Sequence, residues 1–416
     1  MKKKSLLEHA GVRSVLASLL SILIGMLAGG IIILIVGLAN SDLGIKGVWE
    51  GVRLVIGGLF STGRSAAGAL TFGFNSANFG NMLFRAVPLI MTGLSVALSQ
   101  KAGLFNIGAP GQYLVGGCGA LYVALSLPVE GSALTQFMLS NGAVFSFYFP
   151  AWLVWTLAFL CGMACGALWG AIPGMLKAKL NINEVLACIM TNWIAANLVT
   201  WIFDESNLKN MMTGNKNGYI YATAQNDVAT GKLGLDKLFS GSQVNGGILL
   251  AIVIAVLVYV LLTRTTKGYE IKACGANRYA ARYAGIHDQN TIVLTMAIAG
   301  ALAAAGGALY YLSGNTEMFW STYQSLPAEG FNGIPVALLA SNNPLGVIFT
   351  AMFLSMLDIC GQQLKNLTAY NEYITDVIIA VIVYLSAFSL VIKLWLQKLA
   401  AKKKEQPAAA GKGAAK

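Results

Sequence analysis

Charge is what this 416-residue sequence has least of. Only 11% of its residues are Asp, Glu, Lys or Arg, against 56% hydrophobic ones, and the mean hydropathy is +0.66. A soluble domain covers itself with far more charge, so this balance places the chain in the membrane class. Histidine is nearly missing: His9 and His287 are the only two, neither stands in an apolar run, and a buried histidine proton relay is thereby excluded. No G-x-x-x-x-G-K-[ST] segment occurs, so the chain does not hydrolyse ATP on a phosphate loop of that kind. The mid-span carboxylates that ion-coupled carriers use are scarce. Glu184, Arg85, Asp358 and Asp376 all fall near the ends of predicted helices, where snorkelling or interfacial pairing accounts for them. No Ser–His pair, paired Asp or metal cluster stands in the apolar runs, which argues against an intramembrane enzyme. The six cysteines (Cys118, Cys161, Cys165, Cys188, Cys274 and Cys360) lie mostly within apolar segments. Cys161 and Cys165 are one helical turn apart, but no His or carboxylate accompanies them, so they read as packing residues and not as a metal site or a disulfide. No cofactor is expected on this chain.

Long apolar runs are what the sequence has instead. Spanning a bilayer core takes roughly 20 mostly apolar residues, and Val15 to Leu38 supplies a charge-free stretch of that kind. It exceeds a signal-peptide core and no small-residue cleavage site follows, so it reads as a retained first span. Hydropathy and breaker residues predict ten helical segments, near 15–38, 82–99, 104–127, 151–176, 184–203, 246–263, 290–312, 331–341, 344–361 and 375–397. The expected fold is an all-α integral membrane protein of about ten transmembrane helices, including broken or re-entrant segments. With the first segment starting inside, the cytoplasmic stretches hold 19 of the 28 basic residues and 5 of the 17 acidic ones. That bias puts both termini in the cytoplasm by the positive-inside rule. The same scatter of positive charge between apolar runs, with no single basic face, argues against nucleic acid as a partner.

The expected organisation is a cytoplasmic N-terminus and first span (1–38), an external or interfacial segment (39–81), a core (82–397), and a disordered basic tail (398–416) whose lysines sit against anionic lipid. Gly47 to Leu70 is semi-apolar and carries Arg53 and Arg64, which suits a segment lying along the outer interface. The core contains a polar external loop (204–245) and a polar cytoplasmic segment (264–290).

Three stretches differ from plain membrane anchors. Gly103-Leu104-Phe105-Asn106-Ile107-Gly108-Ala109-Pro110-Gly111-Gln112 sets glycines, a proline and two amides at the mouth of an apolar helix. Broken backbone at membrane depth survives only against protein or a water-filled cavity, and such interruptions mark substrate sites in transporters; a tight turn between packed hairpin helices accounts for them equally well. The second, Arg264 to Asn290, is too polar to span and too long for a minimal turn. Its stretch from Asn277 to Ala284 predicts a short helix with Ala280, Ala281 and Ala284 on a small-residue face beside Arg278 and Arg282, closed by Gly285. Such a helix suits a groove on a soluble partner, and an ordinary basic internal loop is the competing reading. The third, Glu329 to Ala340 followed by Asn343-Pro344-Leu345-Gly346, is an apolar piece too short to cross and reads as a half-span or re-entrant helix.

Together the three stretches resemble the permease subunits of ABC importers in the branched-chain amino acid, ribose and nucleoside group. LFNIGAPGQ is similar to that group's LFNIGAEGQ element. GANRYAARYAGI resembles its cytoplasmic coupling segment, and GFNGIPVALLASNNPLG its third element. The resemblance runs in order from about residue 82 to residue 395. It implies two permease subunits around a central path, separate ATPase subunits that bind and hydrolyse ATP, and a substrate-binding lipoprotein or periplasmic protein, at a bacterial cytoplasmic membrane. Coupling to the ATPases would fall on Gly275, Asn277, Ala280, Ala281, Arg282, Gly285 and Ile286. The translocation path would involve Asn106, Gln112 and Asn332, with Asn192, Trp193 and Asn197 on the fifth segment. Pro110 stands where the first element usually has Glu, and Pro335 and Ala340 replace Ala and Gly in the third. The missing carboxylate fits a pairing in which a second, non-identical permease supplies that group. Within the group the sequence is most similar to nucleoside permeases, with simple-sugar permeases next. An ion-coupled secondary carrier is the reading from another class; it should show a buried ionisable residue and has no use for the 264–290 segment.

Overall fold

The computed structural model describes residues 10–39, 44–206, 219–220, 226–319, 325–371, 373–386, 394, 395 and 398. The basic tail beyond residue 398, the N-terminal lysines and most of the 207–225 stretch of the external loop lie outside the described residues. The helices are α1 (Ala10–Ala39), α2 (Gly44–Gly57), α3 (Ser76–Lys101), α4 (Ala109–Ser126), α5 (Ala133–Ser140), α6 (Ala151–Leu180), α7 (Glu184–Glu205), α8 (Leu235–Leu238), α9 (Gly247–Arg264), α10 (Thr266–Ala276), α11 (Arg278–Tyr283), α12 (Asp288–Tyr311), α13 (Ala328–Leu339), α14 (Pro344–Leu367) and α15 (Tyr373–Ser386). Two small antiparallel pairs, β1 (Ser61–Arg64) with β2 (Leu70–Phe72) and β3 (Tyr219–Ile220) with β4 (Met318–Phe319), are the strands.

The expected all-helical architecture is present. Six of the described helices, α3, α6, α7, α9, α12 and α14, are long and apolar enough to cross a bilayer, and the apolar pieces Leu23–Ala39 and Tyr373–Ile382 are shorter. One of the ten predicted segments changes shape. The 104–127 segment becomes five non-helical residues followed by the 18-residue α4, because Gly103 and Gly108 interrupt the backbone. The 331–341 segment is the 12-residue α13, at about 18 Å well short of a ~30 Å core. The described part of the last segment ends at Ser386. The helices α5, capped by Ser132, and α10 are added elements, while α11 is the short helix expected after Asn277.

The chain divides into two compact units, residues 1–75 with 356–416 and residues 76–355. In the first, α1 brings Gly25 and Gly29 against Ile382 and Ile378 of α15. The amphipathic α2 buries Val48, Gly51, Leu54 and Val55 and exposes Ile45, Trp49 and Ile56. Arg64, in the β1 strand, pairs with Glu50 at 2.6 Å and also donates to the carbonyl of Leu367. Arg53 lies 4.8 Å from the centre of the Phe72 ring, so both interfacial arginines are held by local partners.

The second unit is built on close helix contact. Along α6 the glycines Gly162, Gly166, Gly170 and Gly174 recur every fourth residue and therefore share one face. They lie against Gly116 of α4 and against Gly300, Ala304 and Met296 of α12. A Cβ on Gly166 would come within 2.6 Å of the Gly300 carbonyl oxygen, and one on Gly162 within 2.7 Å of the Gly116 carbonyl oxygen. Between helices in lipid, association depends on van der Waals packing of this kind, because lipid tails are as apolar as leucine. At the loop joining α6 to α7, Lys177 pairs with Glu184 at 2.9 Å, the interfacial pairing expected of that carboxylate. Gly166→Leu is expected to abolish the monodisperse folded peak on size-exclusion chromatography in detergent. Leu168→Ala, at a position 73% exposed on the same helix, is expected to leave it unchanged.

Candidate functional site

The first motif is a mid-helix break held by its own amides. Helix α3 ends at Lys101, and Gly103, at φ +72°, turns the chain in the left-handed region that glycine adopts without strain. Leu104 N–H returns to the carbonyl of Ser99 at 3.0 Å, and the chain then climbs to the start of α4. Asn106 is fully buried and Gln112 nearly so. The Asn106 amide nitrogen donates to Ser95 Oγ (3.0 Å) and to Gln112 Oε1 (2.8 Å), and its oxygen accepts from Gly108 N–H and Gln112 Nε2, both at 3.1 Å. Asn192 of α7 clamps the same turn: its oxygen accepts from Gly111 N–H and its nitrogen donates to the Ile107 carbonyl, both at 2.9 Å. The break therefore costs no orphaned backbone group at these positions, which is the condition for non-helical chain inside a bilayer. Pro110 falls in the first turn of α4, where an N–H would have no helical partner in any case.

The third motif meets the first. Gly330 of α13 lies so close to Pro110 that a Cβ there would come within 2.7 Å of the Pro110 nitrogen. Gly333 is equally tight against the backbone of Thr92, and the Thr92 hydroxyl donates to the Glu329 carbonyl at 3.0 Å. At its far end, Asn342 donates to Gln100 Oε1 at 2.6 Å. Helix α13 thus begins beside the first turn of α4 and descends along the last part of α3. Since Asn106 pairs with Ser95, six residues before Lys101, the break lies about 9 Å inside the end of α3, and the start of α13, beside Thr92, lies deeper still. The 18-residue α4 and the half-length α13 point their N-terminal, partially positive ends at one place within the protein, the arrangement by which discontinuous helices form solute sites in transporters.

The second motif is a pinned knob. The Thr265 hydroxyl caps α10 by accepting from Gly268 N–H at 3.0 Å. Near the other end of α10, Gly275 presses on the turn after α3, where a Cβ would come within 2.9 Å of the Gly103 nitrogen. Asn277 caps α11 through Tyr279 N–H (3.0 Å) and Ala280 N–H (3.1 Å). Arg278 and Arg282 both grip Asp288, Arg282 Nη2 at 2.9 Å; that carboxylate raises the affinity of Arg282 for its proton. Gly285, at φ +82°, ends the helix, and Ile286 N–H returns to the Ala281 carbonyl at 3.1 Å. Ala281 is the buried anchor of the expected small-residue face, while Ala280 and Ala284 are exposed. Tyr279 and Tyr283, four residues apart and 74% and 95% exposed, project beside them. Arg282 is thus an internal strut as well as a surface charge.

Of the six pathway residues expected from the sequence, Asn106, Gln112 and Asn192 are brought together in one buried network. Asn332 is exposed on α13. Trp193 is 43% exposed, and Asn197 spends an amide hydrogen on the Trp193 carbonyl at 2.8 Å; neither belongs to the network. Asp288 and Ser95, which the sequence does not single out, are what hold the second and first motifs in shape. Two arginines four residues apart, followed by an isolated carboxylate, are the signal for the first of these. Asp288→Asn is expected to speed limited tryptic cleavage after Arg278 and Arg282 while lowering the Tm only a few degrees, since the lost bonds are worth on the order of 1–3 kcal/mol. Unchanged cleavage would show that Asp288 does not pin α11.

The family described as the permease component of branched-chain amino acid transport systems matches residues 78–387. Among curated relatives, the chain is 33% identical to the nucleoside ABC transporter permease protein NupB of Lactococcus lactis, over 93% of this chain and 94% of that one. It is 30% identical to the guanosine ABC transporter permease protein NupP of Bacillus subtilis, over 92% and 96%. It is also 30% identical to the glucose ABC transporter permease protein TsgB13 of Haloferax volcanii, over 73% and 74%. With its apolar helices, its broken first motif and its match through three-quarters of its length, the chain belongs to this family of multi-pass membrane permeases, which are transport components and not enzymes.

Proposed function

We propose that the chain is the permease subunit of an ATP-driven nucleoside importer. The observation that carries this reading is its similarity, over more than nine-tenths of both chains, to two permeases named for nucleosides and guanosine. The meeting of the α4 and α13 N-termini supports it, since a path lined by amides and helix ends suits a neutral polar solute. In this reading the chain crosses the bilayer about ten times with both termini in the cytoplasm. ATP is bound and hydrolysed on separate ATPase subunits, and a substrate-binding lipoprotein or periplasmic protein delivers the solute. A second permease, not identical to this one, faces it across the path and supplies the carboxylate that Pro110 replaces.

The exposed Tyr279, Ala280, Tyr283 and Ala284 dock into the ATPase. Gly275, Asn277, Ala281, Arg282, Gly285 and Ile286 hold that knob and carry its movement to the α3–α4 turn and to α12. Asn106, Gln112 and Asn192 keep the break open to the path; Asn332 is placed to meet the solute. Trp193 and Asn197 face the bilayer or the partner permease.

A simple-sugar importer is the second reading, favoured by the glucose permease match over 73% of this chain. Uptake of labelled guanosine by intact cells with and without this gene, challenged with excess unlabelled ribose, separates the two. Gene-dependent guanosine uptake that ribose does not compete away is the expected result. If guanosine entry is unchanged and labelled ribose or galactose entry falls, the sugar reading replaces the nucleoside one.

A further inference from the structure

Directly above the meeting point of α4 and α13 stands a group of aromatic rings that none of the three motifs contains. Phe84 of α3 and Tyr310 of α12 stack at 5.7 Å between ring centres, with planes 20° apart. Tyr113 of α4 lies 6.5 Å from Tyr310 and 6.2 Å from Tyr311. Most of this group is ordinary core: Phe84, Tyr113 and Tyr311 are buried, and only Tyr310 is partly open. Tyr113 departs from core behaviour. It is 0% exposed, and its hydroxyl is one of the few buried side-chain groups among the described residues with no hydrogen-bond partner. Such groups are rare in native proteins, because a phenol taken from water without a new partner is unfavourable where a phenylalanine would pack as well. Glu329 stands in the first turn of α13, where its carbonyl accepts from the Thr92 hydroxyl at 3.0 Å, beside the first turn of α4 that leads to Tyr113.

We infer that Tyr113, Tyr310 and Glu329 form a solute-contact station in the permease itself, taking the flat ring and adjacent donor groups of a nucleoside. This rests on the nucleoside reading and deepens it. The partly open face of Tyr310, backed by Phe84, offers a stacking platform that accepts any base. Glu329 accepts from N–H or O–H donors on the solute, and the N-terminal end of α13 favours negative charge at that place. The Tyr113 hydroxyl, without a hydrogen-bond partner among the described residues, then finds one in the solute. The station stands beside the break, so a passing nucleoside is gripped where α4 and α13 begin.

The test is uptake of labelled guanosine and labelled uridine by cells lacking this gene and complemented with wild type, Tyr113→Phe, Tyr310→Phe or Tyr310→Leu, with membrane abundance measured by immunoblot. Tyr113→Phe removes one oxygen and nothing else. If Tyr113 only packs, the substitution relieves an unpaired hydroxyl, and uptake stays at or above the wild-type level; that result overturns the station. The expected result is a loss of roughly tenfold in guanosine uptake at unchanged abundance, the worth of one hydrogen bond to the solute. Tyr310→Phe is expected to keep most uptake because it keeps the ring. Tyr310→Leu is expected to lose roughly tenfold, and more for guanosine than for uridine because the larger base stacks over more area. An equal proportional fall for both solutes in Tyr310→Leu marks a folding defect and overturns the stacking role. A wild-type control that carries no nucleoside sinks the functional reading and the station with it, whereas failure confined to the variants leaves the functional reading standing.

Discussion

Inside a bilayer there is no water to satisfy a backbone amide, and every interruption of a helix must be repaired by the protein itself. The rest of this structure depends on how that repair is made at residues 104–108. Asn106 and Gln112 exchange hydrogen bonds in both directions, Asn192 supplies one donor and one acceptor from another helix, and Ser95 takes the remaining amide hydrogen. Because the amides close on one another, α4 can begin within the protein and leave room for α13 to begin beside it. A regular helix through this stretch would have filled the space where the two N-termini now meet.

The same kind of contact joins the break to the polar 264–290 segment. Gly275 rests on the backbone of Lys101 to Gly103, which is the near end of the break, and Asp288 ties α11 to the first residue of α12. Gly330 and Gly333 set α13 directly on Pro110 and Thr92. The glycine contacts are approaches of backbone to backbone with no flexible side chain between them, whereas α11 is joined to α12 through the arginine side chains that grip Asp288. The α6–α12 glycine face extends that stiffness along the unit, since close-packed interfaces transmit displacement poorly only where voids or long side chains intervene.

Much of this is legible in the residues. The break at Gly103 to Gln112, the half-span around Gly333, and the short helix after Asn277 closed by Gly285 all follow from glycine, proline and cap residues acting over a few positions. The four-residue repeat of Gly162, Gly166, Gly170 and Gly174 is also visible, although repetition alone does not say which helix it faces. The aromatic group is less legible. Phe84, Tyr113 and Tyr310 lie on three different helices, and nothing local distinguishes them from any other aromatic in an apolar run. Asn192, Trp193 and Asn197 show the limit most directly. Three polar or amphipathic residues on one span have similar local prospects, and only packing against residues 107–111 makes Asn192 the clamp.

The sequence by itself determined that the protein lives in a membrane, that its charge gathers in short polar segments between spans, and where its helices must break, because hydropathy, charge and backbone preference act locally. Tertiary structure alone decided which amides pair, which glycines touch, and that α4 and α13 start at the same place beneath the unpaired Tyr113 hydroxyl. Those outcomes depend on residues 6 to more than 200 positions apart, brought within a few ångströms by helix packing that no local preference encodes.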